Sequence, residues 1–182
     1  MISLNYDDSE KKVTGGRNGY GAKLTNIFST EFIVETTDSS AGKKYHQIFK
    51  NNMSITENPK LTSYSKKEEY TMIAFKQDFR EFNMSQFDDD IIALLKKRVY
   101  DMVGCVKDVK VFLNNERLKL KNFKEYMQLY LGEQEPHPTI VYECVSERWE
   151  IGALPSPESQ FQQVRYFYSL LLNDVENHLT IY

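Results

Sequence analysis

The chain has 182 residues, enough for one well-packed domain or for one domain and part of a second. Its apolar share of 41% and charged share of 27% are typical of a globular protein, and no apolar run approaches the roughly 20 residues of a membrane-spanning helix. The net charge of −3 gives no bulk attraction for nucleic acid, so a contact with DNA must be local or lie outside this chain.

The N-terminal sequence and the cysteines indicate an intracellular protein. The start, MISLNYDDSEKK, lacks the basic and apolar regions of a secretory signal. Cys105 and Cys144 lie far apart without metal-site spacing, and His46, His137 and His178 are scattered. We therefore expect reduced thiols, no metal site built from these residues, and a cytosolic or nuclear location.

The first half of the chain predicts a loop, a short helix and an antiparallel sheet. Residues 1–21 show little periodicity, and AKLTNIFST predicts a helix over residues 22–30 with Leu24, Ile27 and Phe28 on one face. Three strand-like runs follow, and the turn-rich residues 56–69 separate the second from the third. These runs are EFIVETTD, KKYHQIFKNNMSI and YTMIAFKQD.

The strongest predicted helix covers Ser85 to Gly104. Asp88 to Asp90 place negative charge at its N-terminal end, which suits the helix macrodipole, and Gly104 is expected to end it. We interpret Lys96 to Arg98 as a solvated helix face. The apolar stripe consists of Ile91, Leu94, Leu95, Val99, Met102 and Val103.

The remainder predicts a hairpin, a short helix and two strands. VKVFLNNERLKL predicts a hairpin that turns at Asn114–Asn115. A short helix is expected over Asn122 to Gly132, and TIVYECVSERWEIGAL predicts two strands, with Trp149 expected in the core. The element order predicts an α+β fold, with a boundary near residues 119–122.

Residues 14–24, TGGRNGYGAKL, hold four of the eight glycines of the chain. Closely spaced glycines let several backbone N–H groups converge on one anion, and a helix that follows offers it a positive end. Arg17 and Lys23 add charge. The stretch therefore predicts a phosphate-binding loop, and the alternative is a mobile surface loop.

Two common phosphate loops are excluded by position. The Walker A pattern fails because Ala22 intervenes before Lys23, and Leu24 stands where a serine or threonine is required. The dinucleotide fingerprint fails because Leu24 replaces its third glycine and no strand precedes it. An unrelated fold such as a P-loop kinase is therefore not expected.

GRNGYGAK, with VTG before it and LTNIFS after it, resembles the ATP-lid motif of type IIA DNA topoisomerases, which belong to the GHKL ATPases. RVYDMVGCVKDVKVFLN, NFKEYMQLYL, RWEI and FQQV resemble the eukaryotic enzymes of this family in the same order, so the resemblance runs from about residue 3 to residue 164. It implies a partial GHKL (Bergerat-type) ATPase α/β sandwich, followed by the first part of a transducer domain with a ribosomal S5-like fold.

The resemblance also implies a set of ATP-binding residues. The backbone around the lid would wrap the triphosphate, with Lys23 near the γ-phosphate. In the family, two adjacent serines before NYDD also touch the nucleotide; Ser3 can keep that role, and Leu4 cannot. The implied ATP-binding residues are Ser3, Gly16, Arg17, Asn18, Gly19, Tyr20, Gly21, Ala22 and Lys23.

No catalytic or metal-binding residue is assigned in this chain. The resemblance implies ATP and Mg²⁺ as cofactors, but it places the general-base glutamate and the Mg²⁺-binding asparagine upstream of the lid. The transducer lysine that reaches the γ-phosphate lies beyond the matched region. Asp7 and Asp8 match the lid sequence, and Asp88 to Asp90 are interpreted as helix-terminal charges.

By the resemblance, residues 1–120 are the C-terminal part of the ATPase domain and residues 121–164 the start of the transducer. Residues 165–182 form a divergent tail in which the family pattern is lost, and a frameshift is one hypothesis for it. The basic run at residues 117–124 is interpreted as a solvated face rather than a DNA contact.

Two functions follow as hypotheses. The first is part of an ATP-dependent type II DNA topoisomerase, a nuclear homodimer that acts on double-stranded DNA and has no membrane association. In it, ATP would close the two protomers into a clamp, and this chain alone would be inactive. The alternative is a non-catalytic remnant that binds phosphate weakly at most.

Overall fold

The computed structural model describes residues 19–106, 109–131, 139–146 and 149–153, together with the backbone of residues 178–181. These residues fall into two compact units, one ending at residue 87 and the other beginning at residue 88. The sequence-based division at residues 120 and 164 stays a prediction.

The first unit is a helix followed by an antiparallel sheet. Strand β1 lies between β2 and β5, and β2 also pairs with β3 and β4. The predicted antiparallel sheet is therefore present. The elements are α1 (Tyr20–Ile27), β1 (Ser29–Asp38), β2 (Lys43–Lys50), β3 (Ile55–Thr56), β4 (Lys60–Ser63), β5 (Thr71–Gln77) and a 3₁₀ helix (Phe79–Phe82).

Two details of this unit differ from the sequence-based expectation. Strand β4 lies within the segment that was predicted to be turns. The sequence did not reveal it because all its side chains are exposed, so apolar and polar residues do not alternate along it. Helix α1 begins and ends earlier than predicted, and Ser29 already belongs to β1. Leu24 and Ile27 do not pack as the predicted apolar face, since they are 50% and 41% exposed.

The second unit contains two helices, a three-stranded sheet and a hairpin. Strand β6 lies between β7 and β10, with β10 parallel to it, and β8 pairs with β9. Val99, Val103 and Val111 form its small core. The elements are α2 (Asp89–Cys105), β6 (Lys110–Leu113), β7 (Glu116–Arg117), α3 (Phe123–Gln128), β8 (Val141–Ser146), β9 (Trp149–Ala153) and β10 (His178–Ile181).

Helix α2 begins at Asp89, later than the predicted Ser85, and it ends one residue after the predicted Gly104. The side chain of Asp88 caps it by accepting a hydrogen bond of 2.8 Å from the backbone N–H of Ile91. Gly104 does not end it, because the helix continues to Cys105. The prediction that Gly104 is a terminator was wrong; this glycine is buried against Tyr126.

The turn between β6 and β7 is the predicted one. Asn114 and Asn115 both have positive φ, at 50° and 66°, as a type I′ turn requires. Trp149 is not in a core, being 61% exposed among the described residues. Within the described part of the chain, no helix is both long and apolar enough to cross a bilayer.

Candidate phosphate-binding loop and its surroundings

Five of the nine expected ATP-binding residues lie in the described part of the chain. Gly19 precedes α1, and Tyr20, Gly21, Ala22 and Lys23 form its first residues. They are thereby brought together on one helical turn. The other four expected residues, Ser3, Gly16, Arg17 and Asn18, lie outside the described residues.

The N-terminal end of α1 has no cap from its own sequence. Gly19 stands at the N-cap in the left-handed region with φ of 64°, and it contributes no side-chain hydrogen bond. The first turn contains no acidic residue. The first backbone N–H groups of a helix have no intrahelical acceptor, and they carry the positive end of the macrodipole. This end of α1 is therefore suited to an anion.

Gly21 is not required by packing among the described residues. A Cβ placed on it would meet no atom within 4 Å, and its φ is not positive. A glycine inside a helix lowers the helix propensity, and no packing contact among the described residues requires it here. Close approach of a ligand to the backbone is the remaining physical use for it.

Lys23 supplies the positive side chain of this turn. It is exposed on the first turn of α1 and makes no ion pair with any described residue. Its ammonium group is therefore available to an anion held at the helix end. The side chain of Tyr20, on the same turn, is 62% exposed, so its ring is accessible to a bound ligand.

The other end of α1 is anchored by polar contacts. The hydroxyl of Ser29, the first residue of β1, donates to the carbonyl of Thr25 at 2.5 Å, whereas the hydroxyl of Thr25 donates within the helix to the carbonyl of Gly21 at 2.9 Å. Asn26 is the buried residue of α1, and its amide oxygen has no hydrogen-bond partner in the described part of the chain. Asn52 and Asp78, which the sequence did not single out, also hold this end.

A charged cluster lies on the sheet of the first unit. Glu35 accepts hydrogen bonds from Lys44 at 2.8 Å, from Tyr70 at 2.5 Å and from His46 at 3.0 Å. Burial raises the pKa of Glu35, but the hydrogen bonds from Lys44, Tyr70 and His46 outweigh it, and the pKa falls from 4.5 to about 2. Because the carboxylate of Glu35 is already bound by these three side chains, the cluster favours a structural role over a catalytic one.

A buried carboxylate lies in the second unit. Asp101 accepts hydrogen bonds from Tyr126 at 2.6 Å, Lys97 at 2.9 Å and Arg98 at 3.2 Å. Burial raises the pKa of Asp101, yet these hydrogen bonds and the two positive charges lower it overall. Part of the basic run predicted to be a solvated face therefore neutralises a buried acid.

No set of three or more His, Cys, Asp or Glu side chains that could hold a metal ion occurs among the residues that the structure describes. The acidic residues at the start of α2 act as its cap and first turn. The donor set of a Mg²⁺ site is thus not found around α1 within the described ranges.

Comparisons with known proteins give one consistent answer. The probable DNA topoisomerase 2 of Dictyostelium discoideum is 51% identical over 180 residues, which is 99% of this chain and 12% of that protein. The crystal structure of the ATPase region of Saccharomyces cerevisiae topoisomerase II has a TM-score of 0.78 and 55% identity, covering 83% of this chain and 39% of that one.

The ATPase and transducer domains of DNA topoisomerase II from Balamuthia mandrillaris give the same TM-score, 0.78, at 44% identity, covering 88% of this chain and 40% of that one. No protein-family model matches the chain. The predicted fold, a part of a GHKL ATPase sandwich, is confirmed by these likenesses. The chain spans about an eighth of the length of the Dictyostelium protein.

Proposed function

Since the chain belongs to the eukaryotic DNA topoisomerase II family, we propose that it forms the ATP-lid part of the ATPase region of such an enzyme. The observation that carries the proposal is the uncapped N-terminal end of α1, with Gly19 in the left-handed region and Lys23 on the first turn. The residues of the lid motif occupy this turn, where an anion is favoured.

In this proposal the backbone of residues 16–23 surrounds the triphosphate of ATP, and Lys23 contacts the γ-phosphate. Ser3 contributes a hydroxyl to the nucleotide. When bound, ATP supplies a triphosphate whose charge favours one arrangement of the lid over another, a population shift. The described residues of this chain bind and orient; none is assigned as the general base.

The whole enzyme would change DNA topology by passing one duplex through a transient double-strand break in another. ATP binding would close two protomers into a clamp, so the protein would be a homodimer and an isomerase that acts on double-stranded DNA in the nucleus. By the family resemblance, strand breakage is assigned to other parts of the enzyme, of which this chain would form a small share, as it spans 12% of the Dictyostelium relative.

Mg²⁺ would accompany the nucleotide in the whole enzyme. The described residues do not fit a Mg²⁺ site, since they contain no cluster of acidic or histidine ligands. Following the family resemblance, we propose that its protein ligand lies outside this chain, and we derive no step through the metal.

Titration of the purified chain with ATP and with inorganic tripolyphosphate tests the proposal, with amide chemical shifts as the readout. Both ligands should change the chemical shifts of the amides of Gly19 to Lys23. Lys23→Ala should weaken binding about tenfold, because it removes one charge-assisted hydrogen bond. Lys66→Ala, which removes an exposed loop lysine, is the matched control. Equal affinity of Lys23→Ala and the unaltered chain would contradict the proposal.

Hydrolysis by the isolated chain tests the alternative, a non-catalytic remnant. A chain without general base or metal ligand should release phosphate from ATP no faster than Lys23→Ala. Turnover well above this variant would exclude the remnant.

A further inference from the structure

The position of α1 depends on few contacts. It has eight residues, too short to be stable as an isolated helix. Among the described residues, its large side chains are mostly outside a core, with Tyr20, Leu24 and Ile27 at 62%, 50% and 41% exposed. Phe28, which caps its C-terminal end, packs against Phe82 with ring centroids 5.3 Å apart. Within the described residues, polar contacts add to this packing in fixing the direction of α1.

Those contacts converge at the C-terminal end of α1, on Asn52. Its side-chain amide donates to the carbonyl of Ile27 at 2.9 Å, one of the carbonyls that a helix end leaves without a partner. Its backbone N–H donates to the carbonyl of Ser29 at 3.0 Å. One residue thus holds both the last turn of α1 and the first residue of β1.

Asp78, the residue that follows strand β5 and caps the 3₁₀ helix, completes this anchor. Its backbone N–H donates to the carbonyl of Phe28 at 2.9 Å, between the two carbonyls that Asn52 binds. The carboxylate is 2% exposed and accepts two hydrogen bonds from the guanidinium of Arg80, at 3.1 and 3.0 Å. Hydrogen bonds from Arg80, and a weaker contribution from Asn52, lower the pKa of Asp78.

The backbone around Asn52 adopts an unusual conformation to make these contacts. Asn51, Asn52 and Met53 follow one another with φ of 50°, 56° and 66°, all in the left-handed region. Such residues cost about 1 kcal/mol or more each unless their surroundings require them. The contacts of Asn52 with the end of α1 stabilise this conformation, so the turn supports α1 in addition to joining β2 to β3.

We infer that Asn52, supported by Asp78, is a positioning residue that sets the orientation of α1 and thereby of the phosphate-binding turn at residues 19–23. The inference rests on the proposed function. Asn52 lies at the opposite end of the helix from Gly19, so it acts through the helix and does not touch the phosphate. A short helix that is fixed at its C-terminal end presents its N–H groups in one direction.

The test compares glycine variants at two neighbouring positions. Asn52→Gly keeps the left-handed backbone and removes only the amide donor, while Asn51→Gly makes the same change at an exposed side chain for which no hydrogen bond is found. The probe is inorganic tripolyphosphate, titrated into the whole chain. Asn52→Gly should bind it about fivefold more weakly, the effect of one hydrogen bond, and Asn51→Gly should bind as the unaltered chain does.

Two further measurements separate positioning from general stability. Amide hydrogen exchange in α1 should accelerate about fivefold in Asn52→Gly, with the amides shared by β1 and β2 unchanged. Thr36→Ala removes a sheet contact with Thr71 of 2.9 Å and should lower stability without changing affinity. If Asn52→Gly does not fold, Asn52→Asp, which keeps the size and backbone tolerance of asparagine, replaces it.

The outcomes are distinct. If the unaltered chain binds tripolyphosphate and Asn52→Gly binds it equally well, the inference is overturned and the proposed function stands. Weaker binding by Thr36→Ala to the same extent would also overturn it, because affinity would then follow stability alone. If the unaltered chain does not bind, the proposed function fails and the inference falls with it.

Discussion

Tyr126 lies so close to Gly104 that a Cβ on this glycine would come within 2.9 Å of the ring atom Cγ of Tyr126. The ring cannot move away easily, because Tyr126 is 2% exposed and its hydroxyl donates to Asp101 at 2.6 Å. Two positions on α2, one turn apart, therefore hold opposite ends of a single side chain on α3.

Gly104→Ala should destabilise the second unit, by up to about 2 kcal/mol. Alanine favours a helix by about 1 kcal/mol over glycine, but the overpacking against a buried ring costs about 1–3 kcal/mol. Gly21→Ala is the matched control, since a Cβ there meets nothing within 4 Å. It should leave stability equal or higher. Urea unfolding of both variants is the measurement, and a stabilised Gly104→Ala would contradict the packing argument.

Tyr126→Phe should also destabilise the chain, by about 1–2 kcal/mol, because it removes a hydrogen bond to a buried carboxylate. The pKa of Asp101 is lowered in the folded state, so its stabilising contribution is present above the unfolded pKa and is lost as pH falls through the folded one. Without the tyrosine hydroxyl, this folded pKa should rise.

The measurement is the melting temperature of both proteins from pH 7 to pH 2. The loss in Tyr126→Phe should be largest at neutral pH and smaller at the acid end, where Asp101 becomes protonated in both proteins. A constant difference across the whole range would show that the hydroxyl does not act through the charge of Asp101.

Local chemistry predicts some features of this chain, and distant contacts decide others. The turn at Asn114–Asn115 follows from residues next to each other in sequence and was predicted, and the negative charges of Asp88 to Asp90 were correctly placed near the start of α2. Gly104 was assigned the wrong role because its reason is a ring on another helix. Strand β4 has no buried side chains to reveal it.

The candidate site divides in the same way. The lid motif predicts Gly19 to Lys23 as phosphate-binding residues from sequence alone, because its residues are contiguous and its spacing is specific. Asn52 could not be predicted, since its contact with Ile27 joins residues that only the pairing of β1 with β2 brings together. The supporting role of Asn52 therefore becomes visible only in the tertiary structure.

Glu35→Gln should lower the melting temperature at pH 7, with a cost of about 1–2 kcal/mol from charge-assisted hydrogen bonds. The folded pKa of Glu35, about 2, lies below its ordinary 4.5. Its contribution is therefore complete above pH 4.5 and disappears as pH falls toward 2. The difference between variant and unaltered chain should shrink over this window.

Glu68→Gln, at an exposed glutamate without an ion pair to any described residue, is the control and should change the melting temperature little at any pH. A difference for Glu35→Gln that is as large at pH 2.5 as at pH 7 would show that the cluster stabilises the sheet by shape and not by charge.

The β6–β7 turn offers a prediction of opposite sign. Asn115 has a φ of 66° at the second central position of a type I′ turn, where glycine is preferred. Asn115→Gly should therefore raise the free energy of unfolding, by about 0.5 kcal/mol, because the positive φ no longer strains a side chain. Asn115→Val should lower the free energy of unfolding by at least about 1 kcal/mol, since a β-branched residue fits positive φ poorly. Chemical denaturation of the two variants measures both changes, and equal stability of glycine and valine at this position would mean that the turn is not type I′ in solution.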